Sequence, residues 1–245
     1  MKNTLTTILI LFSTNLIFAC ICNKPNITQR IAQSDFVATA KIIKVTPNDI
    51  NTIYDNVNIE IIEIYKGETT TNIKTISIGS CPFKVSENTT WLIFASKDNN
   101  GNLSFGYCSG AKQIDRKFNS TKYPNAKEQY DESLKSKLKL LNFLKDEKVV
   151  PKNEFNVSAM IQPNEHFNSR RFVYSNESTK TAVRPILFEL TINKDLSIKK
   201  VRILQNLKDK SFKANLIRYI EENVRIIQKE KLLEIPNKTK IIFEI

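Results

Sequence analysis

Few residues in this chain could do chemistry, and the sequence draws attention to four cysteines, Cys20, Cys22, Cys81 and Cys108, and one histidine, His166. A single histidine excludes a His-based zinc site and leaves any Ser–His or Cys–His pair with one candidate base. His166 falls in a polar stretch, Gln162 to Ser169, and reads as a surface residue. Carboxylates are plentiful, but their context singles out no acid–base pair. No phosphate-binding loop, nucleophile elbow or dinucleotide fingerprint is present. The inventory points away from an enzyme, from an intrinsic metal and from any cofactor, and leaves the cysteines as the residues to explain.

Cys20-Ile21-Cys22 follows directly on an apolar leader. Met1-Lys2-Asn3 gives a short, singly basic start, and Thr4 to Phe18 then runs almost without charge through Ile8-Leu9-Ile10-Leu11-Phe12 and Leu16-Ile17-Phe18 to the small residue Ala19. This is the pattern of a secretory signal peptide over residues 1–19, shorter than the about 20 apolar residues of a membrane span. Cleavage after Ala19 would leave Cys20 as the first residue, with a free α-amine. The same residues fit two other fates. Ala19-Cys20 could end an uncleaved anchor, and Ile17-Phe18-Ala19-Cys20 resembles a bacterial lipoprotein cleavage box, in which the Cys20 sulfur becomes a lipid thioether. Phe18 is bulky for that box, and lipidation would strand one of the three remaining thiols in an oxidising compartment. Parity favours two disulfides and leaves both fates of Cys20 open. The expected location is secreted or in the cell envelope, periplasmic or on the outer surface, with membrane attachment only if Cys20 carries lipid.

Composition constrains the rest. At 245 residues, 41% apolar and 25% charged, the chain suits one large or two modest globular domains. Its balance of 37 basic against 25 acidic residues would suggest nucleic acid in a cytoplasmic protein. In an exported one it fits an anionic polysaccharide, a lipid surface or an acidic protein partner as well, and the scattered lysines read as a solvated surface. No nucleic-acid partner is expected. All five glycines and all four cysteines precede residue 111, so tight turns and cross-links belong to a first module.

That module reads as strands. After a turn at 23–26 and a short helix, Ile27 to Gln33, the β-branched run Phe36 to Val45 is a strand. Val57, Ile59, Ile61 and Ile62 to Tyr65 carry a second, turned at Lys66-Gly67. Ile73 to Ile78 makes a third, leading to Cys81. Trp91-Leu92-Ile93-Phe94-Ala95 is apolar throughout and predicts a buried central strand; Asp98 to Asn102 is a hairpin signal before Leu103 to Cys108. Five short strands with such turns suggest a small closed barrel of the OB type. The stripe Leu134, Leu138, Leu141 and Leu144 within Asn125 to Lys148 predicts a helix packed on it, which Val149-Val150-Pro151 ends. The fold expected is mostly β with α: an OB-like five-stranded barrel plus a packing helix over 20–148, then a small α+β domain over 151–245.

Several of these pieces together resemble the inhibitory domain of the tissue inhibitors of metalloproteinases, within the netrin-like family, over about residues 20–145. They are Cys20-x-Cys22, Ser34-Asp35-Phe36-Val37-x-x-Ala40-Lys41, Ile64-Tyr65-Lys66-Gly67, Cys81, Leu92-Ile93-Phe94-Ala95, and Gly101-x-Leu103 ahead of Cys108. The resemblance implies disulfides Cys20–Cys81 and Cys22–Cys108, each worth roughly 4 kcal/mol through loop-closure entropy. It also implies a function. The α-amine and carbonyl of Cys20 would chelate the catalytic zinc of a target metalloproteinase, and Ile21 would enter its specificity pocket, with Cys22 fixing the edge. Three departures stand out: Gln33 lies near where the animal inhibitors carry a further half-cystine, Lys24 is an additional residue in the opening turn, and Ile21 replaces a small hydroxyl residue.

In the second module Phe155 to Ile161, Arg171 to Tyr174, Ile186 to Ile192, Ser197 to Leu204 and Lys240 to Ile245 read as strands. Phe212, Leu216, Tyr219/Ile220 and Val224 mark an amphipathic helix. Over 183–245 this order is similar to the carboxy-terminal domain of TonB-like proteins, without their aromatic signature or Pro-rich spacer. Two classes of function follow: a secreted metalloendopeptidase inhibitor, or a cell-envelope module that binds a protein or glycan partner through its faces.

Overall fold

The computed structural model describes residues 20, 22, 25–79, 81–119, 121–152, 154–155, 157–162, 185–228 and 233–245. The leader at 1–19, Ile21, Lys24, the strand expected at 171–174 and His166 lie outside the described residues.

The first strand, β1 (Phe36–Pro47), alternates Phe36, Ala38, Ala40 and Ile42 to one side, all fully buried. It pairs antiparallel with β2 (Tyr54–Lys66) along its length and with β4 (Thr90–Lys97) over Phe36 to Lys41. Register shifts at Val37/Ala38, Thr39/Ala40 and Ile42/Lys44 bend it, which lets one strand serve two neighbours. With β3 (Asn72–Ile76) and β5 (Leu103–Phe105) the order β1-β2-β3-β5-β4 closes back on β1, a five-stranded barrel of OB connectivity. Inside it lie the four β1 residues above with Val57, Ile59, Ile73, Trp91, Ile93, Ala95 and Phe105. A two-residue strand, β6 (Lys112–Gln113), extends the sheet beside β4.

Three expectations are corrected here. The strands are not all short: β1 and β2 run to 12 and 13 residues. The third strand stops at Ile76, because the N–H groups of Ser77 and Ile78 turn to the carbonyl of Ile53. β6 gave no signal, as two residues are too few to show alternation.

The Trp91–Ala95 run of β4 is apolar throughout because both its faces are covered. Trp91, Ile93 and Ala95 face the barrel, while Leu92 and Phe94, with Val37 of β1, face a second layer. That layer is made by α1 (Ile27–Gln33) and α2 (Ala126–Asp146), through Ile27, Ile31, Leu134, Leu140, Leu141 and Leu144. Each such side chain, fully buried, is worth about 1.5–3 kcal/mol. Lys148, at φ 52°, ends α2, and the Val149 N–H closes on the Leu144 carbonyl.

Residues beyond 151 contribute their own sheet and core and also pack against the first module. A three-stranded antiparallel sheet, ordered β11 (Thr239–Glu244), β8 (Leu187–Ile192), β9 (Ile198–Ile203), has two apolar faces. Phe188, Leu190, Ile192, Ile241 and Phe243 meet Phe212, Leu216 and Ile220 of α3 (Lys210–Asn223). Leu187, Leu204 and Ile242 join the α1–α2 layer. Val224, expected to close the helical stripe, instead caps α3 and begins β10 (Val224–Gln228), which pairs with β7 (Val157–Ile161). β10 went unseen because Val224 continues the helical spacing of Leu216 and Ile220.

Candidate functional site

Cys20 is bonded to Cys81 and Cys22 to Cys108, with Cα atoms 5.6 and 5.2 Å apart, across 61 and 86 positions of sequence. Where the bridges land matters more than their number. Cys81 follows the end of β3, and Cys108 sits in a single 3-10 turn (Tyr107–Ser109) just after β5. β3 and β5 are parallel neighbours, Lys74 beside Ser104 and Thr75 beside Phe105, so their ends lie on the same rim of the barrel. Cys20 and Cys22 are therefore each fastened to the same rim. Two formed disulfides fit an oxidising compartment.

Beyond the edge the chain enters α1, a helix of seven residues, too short to persist alone. Its ends are held by side chains from elsewhere. Asn26 caps it locally, its Oδ1 accepting from Gln29 N at 2.8 Å. The Glu244 carboxylate, on β11, accepts the N–H groups of Ile27 (2.8 Å) and Thr28 (3.1 Å). At the other end Lys66 Nζ donates to the carbonyls of Ile31 (2.8 Å) and Ala32 (3.2 Å). An anion at the first turn and a cation at the last also match the helix dipole. Burial pushes the Glu244 carboxyl up from its ordinary value, opposed by those two N–H groups and by Lys137. Burial lowers the Lys66 ammonium, opposed by Asp35.

The junction after α1 explains several residues that stood out in the sequence. Ser34 closes the helix through its N–H to the Arg30 carbonyl, and Asp35 Oδ2 accepts Lys97 N at 2.7 Å. Gly67, at φ 90°, passes so close to this corner that a Cβ would lie 2.4 Å from the Asp35 carbonyl oxygen.

Beside the Cys22–Cys108 bridge lies a cleft of about 310 Å³. Arg30, Ser34, Phe94, Ser96, Ser104 and Cys108 are among its walls. Arg30 Nη1 donates to the Cys108 carbonyl at 3.0 Å, and its guanidinium lies 6.0 Å from the Phe94 ring centroid. Gly110, at φ 82°, admits it: a Cβ there would fall 2.3 Å from the guanidinium carbon. Sequence reasoning missed this cleft, and the paired glycines around Cys108 were its only trace. A second, larger hollow of about 570 Å³ on the barrel flank is lined by amides, hydroxyls and two lysines, among them Asn56, Asn58, Asn72, Lys74, Lys97 and Asn102.

Among the described residues no group of three or more His, Cys, Asp or Glu could hold a metal ion, and no helix is long and apolar enough to cross a membrane. No protein-family model and no curated protein matches the chain.

Proposed function

We propose that this protein is an exported, non-enzymatic binding protein that inhibits a zinc metalloendopeptidase through its mature amino terminus. Removal of residues 1–19 exposes Cys20, whose α-amine and carbonyl oxygen ligate the target's zinc and displace its water. Ile21 enters the target's specificity pocket, gaining about 1.5–3 kcal/mol on full burial in an apolar site. The chain itself supplies no metal and needs no cofactor. The observation that carries this reading is the fastening of both Cys20 and Cys22 to the rim where β3 and β5 end. A terminus already held in one geometry loses little freedom on binding, which is how a short segment gains affinity. The ordered likeness to the tissue inhibitors of metalloproteinases supplies the zinc mechanism, and the Cys20–Cys81 bridge supports a free terminus, since a lipid thioether would need the same sulfur.

The amide-lined hollow favours one second reading, an envelope module that binds a glycan or protein partner through the barrel flank. Intact-mass analysis of the mature protein, followed by assay against a panel of zinc endopeptidases, separates the two. The inhibitor reading expects a chain starting at Cys20, four oxidised sulfurs and inhibition of at least one enzyme. Added acyl mass, or no inhibition across the panel, overturns it.

A further inference from the structure

The Arg30 cleft opens beside the fastened terminus, and its chemistry is one-sided. Arg30 is the only charged one among the described residues lining it. Among the described residues no carboxylate pairs with this guanidinium: the ion pairs of the barrel and helices go to Lys127–Asp131 and Lys145–Glu63. Its one hydrogen bond, to the Cys108 carbonyl, engages one of five N–H donors. Burial lowers its pKa, as expected for a cation drawn partly from water. Lys137 close by is also positive; burial and then Lys112 hold it down, Glu244 opposes them, and Arg30 adds to the repulsion.

The remaining lining narrows the ligand. Ser34 Oγ is committed to the Arg30 carbonyl (2.8 Å) and Ser96 Oγ to the Gln33 carbonyl (3.2 Å). Ser104 Oγ has no protein partner among the described residues and stands on β5 as a spare donor. Phe94 and Phe105 wall the site with apolar surface. Ser109 Oγ accepts the Ala111 N–H at 3.2 Å, and the neutral Gln33 amide stands at the exposed mouth. A planar fork of cationic donors with the unpartnered Ser104 hydroxyl and apolar walls in about 310 Å³ suits a planar monoanion on an aliphatic stem. A phosphate dianion would call for a second cation, and the described lining residues supply none.

We propose that this cleft is a carboxylate-binding site, with Arg30 as its charge and Ser104 as its second donor, and that it receives a Glu or Asp side chain of the partner that meets the Cys20–Cys22 edge. The identity of that partner rests on the inhibitor reading; the carboxylate site does not.

The test uses the mature, disulfide-intact chain, observing arginine side-chain Nε–Hε resonances by NMR. The probes are N-acetylglutamate α-amide, its neutral glutamine counterpart, and sulfate. The expected result is a saturable, millimolar perturbation of the Arg30 resonance by the glutamate probe and none by the glutamine probe. Ser104→Leu, which fills the cleft without altering Arg30, should weaken it about tenfold or more, as should Arg30→Lys read by heat of binding. Equal perturbation by the neutral probe, a response to sulfate alone, or unchanged binding in Ser104→Leu overturns the proposal. A second arm measures Arg30→Lys against any zinc endopeptidase that the wild type inhibits, with about a tenfold loss of potency expected. Glutamate binding without inhibition of any enzyme sinks the inhibitor reading and leaves the site standing; inhibition with no glutamate binding does the reverse.

Discussion

Glu244 accepts the backbone N–H of Ile27 at 2.8 Å across 217 positions of sequence, so a strand of the last sheet caps the short helix behind the amino-terminal edge. The contact joins the far end of the fold to the element that positions the terminus. Glu244→Ala leaves the Ile27 and Thr28 donors without that acceptor, and the expected loss of stability is about 1–3 kcal/mol. Urea unfolding monitored at Trp91 measures it; a loss under about 0.5 kcal/mol would show the cap to be incidental.

The same carboxyl has a pH signature. Burial raises its pKa above the ordinary carboxylate value, while Lys137 of α2 and the two α1 N–H groups oppose the shift, and Arg30 faces the same region from α1. A raised folded-state pKa means that its contribution is fully present below the ordinary value and is lost as pH rises through the folded one. The stability difference between wild type and Glu244→Gln should therefore shift towards the variant as pH climbs from about 4.5 to neutrality. A pH-independent difference contradicts the assignment.

Gly67 turns the chain at φ 90°, where a Cβ would press to 2.4 Å from the Asp35 carbonyl. Gly67→Ala is expected to destabilise by about 1–3 kcal/mol from the backbone conformation alone, with the clash added. Thermal unfolding decides this, and an unshifted midpoint would mean that the corner relaxes freely.

Thr75 Oγ1, on β3, is buried with no hydrogen-bond partner among the described residues. Replacing it with the near-isosteric valine removes an unsatisfied hydroxyl, so Thr75→Val should stabilise the barrel by about 1 kcal/mol. Destabilisation of the same size would point to a partner for the hydroxyl.

The paired substitution Cys22→Ser and Cys108→Ser opens a long covalent loop without leaving a stray thiol. Roughly 4 kcal/mol of stability should go with it. If the chain stays folded, inhibition should weaken about tenfold or more as the terminus loses its second fastening. Unchanged potency in a folded variant would separate the edge from the activity.

What was legible in the sequence follows from the range of the interactions. The barrel strands announce themselves through Phe36-x-Ala38-x-Ala40-x-Ile42 and the apolar run Trp91 to Ala95, because period-two burial is a local property. α2 shows through its leucines for the same reason. The fastening residues Cys20, Cys22, Cys81 and Cys108 stood out by type and number. The devices that hold the site in place did not. Glu244 to Ile27, Lys66 to Ile31 and Arg30 to Cys108 join residues 217, 35 and 78 positions apart through single polar contacts. Such contacts leave no periodic trace, and lysine, arginine and glutamate read as solvated surface wherever they fall. β10 was lost differently, since Val224 satisfies helix spacing until Val224 to Gln228 pair with β7.

The central claim is that the Cys20 α-amine is the ligand for a partner's zinc. The most direct measurement compares the mature protein with a form carrying one alanine before Cys20, both oxidised and equally stable, against a zinc endopeptidase that the mature protein inhibits. With an amine whose reference pKa is about 7.7–8.0, inhibition by the mature form should weaken as pH falls through that range. The extended form, its amine moved one residue away and the Cys20 nitrogen now an amide, should lose about a hundredfold or more in potency. Equal potency of the two forms would contradict the account.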